Sequence, residues 1–266
     1  MFESISRRGF LGLAPVMPFA FQTGGAPQAT APSPGASFPA QDPDLVRDTV
    51  GASHGNLARV KELVSARPAL ARASWDWGFG DWETAIDAAS HVGNRPIAEY
   101  LIANGARPTI YTAAMMGQLA IVKGWVESVP GVQRNRGPHG ITLLAHARNG
   151  GAGAAEVLKY LESLGDADPR YTDLPVGDAD QAAIVGEYAF GPGATERLKV
   201  AKNARGILTI QRPGLSERNM VHQGALAFIP VGAEAVRIRF EVADGKSQAL
   251  TVEDGPLMLR AKRIIV

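Results

Sequence analysis

The amino-acid sequence predicts a multi-domain chain: an α-helical solenoid of about four repeats, followed by a small antiparallel β sandwich or barrel. Ten-residue windows that end in glycine recur four times between residues 44 and 168, and helically spaced apolar residues follow each window. From residue 182 onward apolar and polar residues alternate, which is the period of a half-buried strand. The change of period near Pro169 therefore separates a helical part from a strand-rich part.

The repeated windows are the strongest signal in the sequence. They span residues 46–55, 84–93, 108–117 and 142–151. Their sixth position is always a tiny residue, which lets neighbouring helices of a solenoid lie close together: Gly51, Ala89, Ala113 and Ala147. A second helix is predicted after each window from apolar residues that begin at Val60, Ile97, Ile121 and Val157. Four such units exceed the roughly three that a continuous solenoid core requires.

In its helix pairing, the segment 44–168 resembles the ankyrin repeat family. The family's Thr-Pro-Leu-His opening is represented here by Thr84-Ala85-Ile86-Asp87 and Thr142-Leu143-Leu144-Ala145, without the histidine. The resemblance implies a concave groove that binds a protein or a small ligand. It also implies that the fifth, eighth and ninth positions of each first helix face that groove. Three of the five histidines and two methionines occupy such positions: His54, His91, Met115, Met116 and His146.

An aromatic and acidic segment precedes the second window. It contains three tryptophans, one phenylalanine and three acidic residues: Trp75, Asp76, Trp77, Phe79, Asp81, Trp82 and Glu83. Tryptophan offers a large apolar surface with one N–H donor, so it is a good anchor in a recognition site. Two interpretations stay open, since these rings either cover a gap between repeats or line a ligand groove. The predicted binding set combines Trp77, Phe79, Asp81 and Trp82 with the five groove residues named above.

The histidines permit a structural and a chemical interpretation. His54 and His91 end their predicted helices beside glycine, where an imidazole can cap free carbonyl groups. A metal site of His54, His91 and Asp81 is the alternative, because imidazole and carboxylate suit zinc or iron. No two histidines stand three or four residues apart in one helix, so we predict no metal site and no cofactor. His139, in a Gly-Pro-His-Gly turn, is interpreted as a hydrogen-bonding turn residue.

The N-terminal segment has the pattern of an export signal. Ser6-Arg7-Arg8-Gly9-Phe10-Leu11 resembles the twin-arginine motif, and the apolar run at 10–21 is too short and too interrupted by proline to span a bilayer. We predict a signal peptide at residues 1–21 and a flexible linker at 22–43, rich in Pro, Gly, Ala, Ser and Thr. The chain has no cysteine, so a lipid anchor is not expected. The predicted location is periplasmic or secreted.

The pattern of the C-terminal segment predicts a β module. After a linker at 169–181, short alternating runs and glycine-bearing turns fill residues 182–266, as in an antiparallel sandwich or barrel. The order of Gly186-x-Tyr188, Leu198-x-Val200, Gly206-x-Leu208 and Val236-x-Ile238-x-Phe240 resembles a small lipocalin-like domain. That domain is appended to β-lactamase-like serine hydrolases, and the resemblance implies an accessory role without catalytic residues.

Composition and motifs restrict the function. The net charge of +1 argues against nucleic acid as a partner. The usual nucleophile, zinc-peptidase and phosphate-loop motifs are absent from the sequence, so no catalytic residue is predicted. We therefore expect a binding protein whose groove recognises a protein or a small ligand. The alternatives are an enzyme or metal-binding protein that uses His54, His91 and Asp81 at the aromatic hairpin, and a purely structural envelope protein.

Overall fold

A computed structural model describes residues 37–265 of the chain. The predicted signal peptide at 1–21 and most of the linker at 22–43 lie outside these residues. The described α-helices are α1 (Pro43–Ala52), α2 (Leu57–Ala66), α3 (Ala85–His91), α4 (Arg95–Ala103), α5 (Ile110–Met115), α6 (Leu119–Ser128), α7 (Leu143–Asn149), α8 (Ala155–Leu164) and α9 (Asp178–Ile184). Short 3-10 segments occupy Pro68–Arg72, Val132–Arg134, Pro138–Gly140 and Gly151–Ala154.

Side-chain caps set the starts of most helices in the N-terminal half. Six residues accept a hydrogen bond from a backbone N–H in the first turn of the helix that follows: Asp42, Asn56, Thr84, Asn94, Thr109 and Thr142. Each cap satisfies one of the N–H groups that the beginning of a helix leaves unpaired. Helices α3, α5 and α7 consequently lie inside the second, third and fourth repeated windows.

The helices pack in consecutive pairs, α1 with α2, α3 with α4, α5 with α6 and α7 with α8. The first helices of the pairs also contact one another in chain order. Gly93, with φ of 75°, also brings the chain just after α3 close to α7, since an added Cβ would lie 2.2 Å from the carbonyl oxygen of Asn149. Two apolar cores fill this half, one around Val50 and Leu101 and one around Leu143.

The C-terminal half is a closed antiparallel barrel of eight strands. The strands are β3 (Gly186–Ala189), β4 (Arg197–Lys202), β5 (Leu208–Gln211), β6 (Arg218–Gly224), β7 (Ala227–Pro230), β8 (Val236–Ala243), β9 (Lys246–Asp254) and β10 (Leu257–Arg263). Each strand pairs with its sequence neighbours, and β10 pairs with β3 to close the barrel. Eight strands leave an interior just wide enough for side chains, and Tyr188, Phe228 and Leu250 are among those that fill it.

The predicted fold class was wrong. Instead of an ankyrin solenoid followed by a separate small β module, the described residues belong to one compact unit whose C-terminal half is the closed barrel. Within residues 37–265, the hairpin of β1 (Ser74–Asp76) and β2 (Trp82–Thr84) is the one two-stranded sheet, whereas a solenoid of this family repeats its hairpins. Helical periodicity shows which residues face an apolar core, but it does not show which element covers them. The closed barrel matches the predicted C-terminal β module only in part.

The β1–β2 hairpin joins the two halves. Phe79 at its tip has φ of 60° and packs against the apolar core of the barrel. Two residues further on, Asp81 forms an ion pair with Arg218 at the start of β6. The hairpin's acidic side chains are therefore held between the helices and the barrel. No helix in the described part of the chain is long and apolar enough to cross a membrane.

Candidate metal centre

Four side chains from separate segments converge beside the β1–β2 hairpin. His54 follows α1, Glu83 lies in β2, His91 is the last residue of α3, and His139 lies in the 3-10 turn Pro138–Gly140. One nitrogen or oxygen atom of each lies within 4.8 Å of the corresponding atoms of the other three. Imidazole nitrogens and a carboxylate oxygen are common ligands of zinc and of the neighbouring transition metals.

The distances within this cluster fit a bound ion. Glu83 Oε1 lies 3.0 Å from His91 Nε2 and 3.3 Å from His139 Nε2, and Glu83 Oε2 lies 3.5 Å from His54 Nε2. An ion with metal–ligand distances of ~2.1 Å separates tetrahedral ligands by ~3.4 Å. The four side chains would therefore need only small movements to coordinate one ion.

The centre of the cluster contains buried polar atoms without hydrogen-bond partners. Glu83 is 0% exposed, and neither its Oε1 nor His91 Nε2 has an aligned hydrogen-bond partner among the described residues. Leaving such atoms unsatisfied inside a protein costs free energy. Burial alone raises the pKa of Glu83, but the imidazoles of His139 and His91 outweigh it and bring the pKa to about 2. The carboxylate is thus ionised and has a lone pair to offer.

Two of the three histidines are held through their Nδ1 atoms. His139 Nδ1 lies 2.7 Å from Asp81 Oδ2, and His54 Nδ1 lies 3.0 Å from the carbonyl oxygen of Gly51. Both partners are acceptors, so each Nδ1 carries the proton and each Nε2 is left to face the cluster. Trp77 Nε1–H donates to Glu83 Oε2 over 2.7 Å. Carboxylate–histidine pairs of this kind orient metal ligands.

Asp81 is the principal residue behind the cluster. It is 2% exposed, accepts a second hydrogen bond from the backbone N–H of His139 at 2.9 Å, and forms an ion pair with Arg218. Burial raises the pKa of Asp81, but the two hydrogen bonds from His139 and the charge of Arg218 lower it further than burial raises it. Burial likewise lowers the pKa of His139, and the carboxylates of Asp81 and Glu83 outweigh this and bring that pKa to about 9. A metal ion would displace the extra proton.

The barrel approaches this cluster through Gly232, in the loop between β7 and β8. A Cβ at Gly232 would lie 3.0 Å from the Cα of His139 and 3.1 Å from the Cγ of Asp81. Gly232 has φ of 85° and His139 has φ of 59°, a left-handed backbone that side chains rarely adopt. His139 is the non-glycine residue of the two, and non-glycine residues with such a backbone cluster at functional sites.

A cleft of about 460 Å³ opens beside the cluster. Its wall contains two of the converging histidines, His54 and His139, together with Trp77 and the buried Arg218. The remaining lining residues come from two loops and strand ends of the barrel: Asn203, Arg205, Ser216, Glu217, Asn219 and Val231. An ion held by the four side chains would therefore border a space large enough for a small molecule.

The residues predicted to bind a partner are distributed over several environments. Trp77, Asp81, His54 and His91 lie at the cluster. Trp82 is 62% exposed on the other side of the hairpin. The other predicted residues lie in or against apolar cores: Phe79 packs on the barrel core, Met115 and Met116 on the first helical core, and His146 is buried beside Tyr111.

Three residues of the site were not in the predicted set. Glu83 could have been found, because Asp81 and Glu83 alternate with the exposed Trp82 and strand residues two apart face the same side. His139 and Arg218 belong to a turn and a strand far away in the sequence, and no local pattern links them to the hairpin. The alternative metal set of His54, His91 and Asp81 thus differs from the observed cluster in its carboxylate and lacks its third imidazole.

Comparison with known protein families found no matching family model, and comparison with curated proteins found no similar sequence.

Proposed function

We propose that this protein binds one divalent transition-metal ion through Glu83 and the Nε2 atoms of three histidines, and that the ion holds a small ligand in the adjoining cleft. The observation that carries the proposal is the convergence of four ligand atoms within 4.8 Å, from four segments of the chain. Helix capping explains the contact of His54 Nδ1 with Gly51. It does not explain why the opposite nitrogen meets a fully buried carboxylate.

The ligand set narrows the identity of the ion. Three imidazoles and one carboxylate suit zinc, iron, manganese or copper better than magnesium or calcium, which prefer oxygen ligands. Four protein ligands complete a tetrahedral structural zinc site, whereas a fifth position is needed to hold a further ligand. Because His54 and His139 line the cleft, that position would face it. An open fifth position favours an ion that accepts five or six ligands, such as iron or manganese, or a five-coordinate zinc ion.

Metal analysis tests the proposal directly. The protein, stripped with a chelator and titrated with zinc and manganese, should bind one ion per chain. His91→Ala and Glu83→Gln should each weaken binding by 100-fold or more, because each removes a ligand. His146→Gln is the matched control, since it removes a buried histidine outside the cluster. Absence of stoichiometric binding by the wild-type chain, or equal affinities of wild type and both ligand variants, would refute the proposal.

We also propose that the chain is exported in folded form through its twin-arginine segment. Supporting this are the sequence Ser6-Arg7-Arg8-Gly9-Phe10-Leu11 and the apolar run behind it. Folding before export would let the metal be inserted before the protein leaves the cytoplasm. Cell fractionation should find a shortened chain outside the cytoplasm, and Arg7→Lys with Arg8→Lys should retain the full-length chain inside. A full-length cytoplasmic wild-type chain would contradict export.

A further inference from the structure

Arg218 lines the cleft and has hydrogen-bond donors that lack an acceptor among the described residues. Its side chain is 9% exposed, and one nitrogen, Nη1, pairs with Asp81. Its Nε and Nη2 are buried and have no hydrogen-bond partner within residues 37–265. A guanidinium is always charged and presents its N–H groups as a planar fork that matches a carboxylate. Burying two of these donors without an acceptor is costly, which indicates a ligand that supplies one.

Arg218 is separated from the proposed ion by one side chain, that of His139. Arg218 Nη1 lies 3.1 Å from His139 Nδ1, because both nitrogens donate to Asp81 Oδ2. His139 contributes Nε2 to the ion from the other side of its ring, and both residues line the same cleft. A ligand oxygen on the ion and an oxygen near the guanidinium can therefore belong to one small molecule.

The charges around the cleft select the charge of that molecule. Glu83 and Asp81 together balance the charge of a divalent ion, and imidazoles coordinate such an ion as neutral ligands. Arg218 then leaves one positive charge in the interior. At the exposed rim, Arg205 and Glu217 cancel each other. A single positive charge in a partly desolvated site favours a monoanion over a dianion such as phosphate.

From these observations we infer that the ligand is a small monocarboxylate, held by the ion and by the Nε and Nη2 donors of Arg218. The inference rests on the proposed metal centre. The carboxylate lies against the guanidinium, and the rest of the molecule faces the polar side chains of Asn219 and Ser216, which suits hydroxyl groups. Charge-assisted, bidentate pairing of this kind is roughly twice as strong as a neutral hydrogen bond.

Loading the protein with cobalt(II) in place of the native metal tests monocarboxylate binding without knowledge of the physiological ligand. The visible absorption of the cobalt-loaded protein reports changes in coordination. Lactate should perturb the spectrum saturably, and its neutral amide, lactamide, should bind at least 10-fold more weakly. Inorganic phosphate at a pH where it is largely dianionic should also bind more weakly than lactate. The stoichiometry of cobalt is measured first. Failure of cobalt to bind overturns the metal centre, whereas bound cobalt with equal responses to lactate and lactamide overturns the carboxylate alone.

Two variants assign the carboxylate to this wall of the cleft. Arg218→Gln, studied at saturating cobalt, should weaken lactate binding at least 10-fold while the protein still binds one cobalt. Glu217→Gln removes a negative charge from the rim and should strengthen lactate binding about two- to threefold. A general loss of folding cannot produce opposite changes in the two variants. Tighter binding of phosphate than of lactate, or unchanged lactate affinity in both variants, would refute the inference.

Discussion

Asp81 shows how much of the site depends on single atoms. Its Oδ2 meets both His139 Nδ1 and Arg218 Nη1, while its Oδ1 accepts the backbone N–H of His139. One carboxylate thereby sets the position and tautomer of a ligand and holds the guanidinium at the cleft. Asp81 is not one of the four residues whose ligand atoms converge, so we treat it as a positioning residue for the proposed ion.

Asp81→Asn should lower metal affinity without preventing binding. The amide keeps the shape of the side chain but loses the charge that stabilises the Nδ1–H tautomer of His139. Loss of such an outer partner typically costs 10–100-fold in metal affinity. Competition with a chromophoric chelator measures the change. Asp76→Asn is the control on the same hairpin. Among the described residues, the Asp76 side chain accepts one hydrogen bond, from the backbone N–H of Gly78, and an amide oxygen can accept it as well. Equal affinities of the two variants would contradict this role.

His146 carries a stability prediction independent of the metal. It is fully buried, its Nδ1 lies 2.9 Å from the carbonyl oxygen of Thr142, and burial lowers its pKa from 6.5 to about 4. Below pH 6.5 the unfolded chain takes up a proton that the folded chain refuses, so stability falls as the pH falls from 6.5 to 4. His146→Leu should remove this part of the acid destabilisation. Urea unfolding at pH 7 and pH 4.5 should show a smaller drop for the variant, and an identical drop would disprove it.

The β1–β2 hairpin is the element that builds the site. Its strand period turns Asp81 and Glu83 inward and Trp82 outward. Its tip places Phe79 against the barrel core, so the inward face is fixed at both ends. A hairpin of two three-residue strands is only marginally stable by itself. Packing of its tip and of its buried acidic side chains supplies the additional stability that the few hydrogen bonds between the strands cannot.

Phe79→Ala should therefore affect both stability and metal binding. Loss of the partly buried ring should cost about 1–3 kcal/mol, and a looser tip should weaken metal affinity severalfold through Asp81 and Glu83. Trp82→Ala is the matched control: it removes a larger aromatic ring from the same hairpin, but from its exposed side. Urea unfolding of the metal-free proteins and chelator competition measure the two effects. A larger loss from Trp82→Ala than from Phe79→Ala would show that the tip is not an anchor.

The same hairpin shows how far the sequence could predict the site. The aromatic and acidic composition of residues 75–83 pointed to the hairpin where the four side chains converge, and the periodicity of the flanking segments located helices α3, α5 and α7. The predicted set of site residues was incomplete because tertiary packing, which the sequence does not show, brings the remaining residues to the hairpin. His139 approaches from a turn and Arg218 from a barrel strand, and neither has a sequence neighbour that signals the hairpin. The fold class failed for the same reason: repeat spacing is local information, while the barrel's closure and its contact with the hairpin are not.

At the scale of the whole molecule, the site depends on both halves. The helical half supplies the four proposed ligands, and the barrel supplies Arg218, most of the cleft wall and the loop that carries Gly232. That loop passes so close that a Cβ at Gly232 would approach Asp81 and His139 to about 3 Å. The barrel therefore contributes to the proposed metal site, beyond the accessory role that the resemblance of its sequence implies.

Gly232→Ala tests this dependence from the barrel side. The added methyl group would press on the Cα of His139 and on the Asp81 carboxylate, both of which are backed by buried structure. Gly245→Ala is a matched control: Gly245 has φ of 73°, close to the 85° of Gly232, but apart from its chain neighbours no heavy atom of residues 37–265 lies within 4 Å of its Cβ position. Both variants should lose about 1 kcal/mol from the left-handed backbone. Gly232→Ala alone should also lose 10-fold or more in metal affinity, measured by chelator competition under conditions where both variants are folded. Equal metal affinities for the two variants would mean that the approach of the barrel does not shape the metal centre.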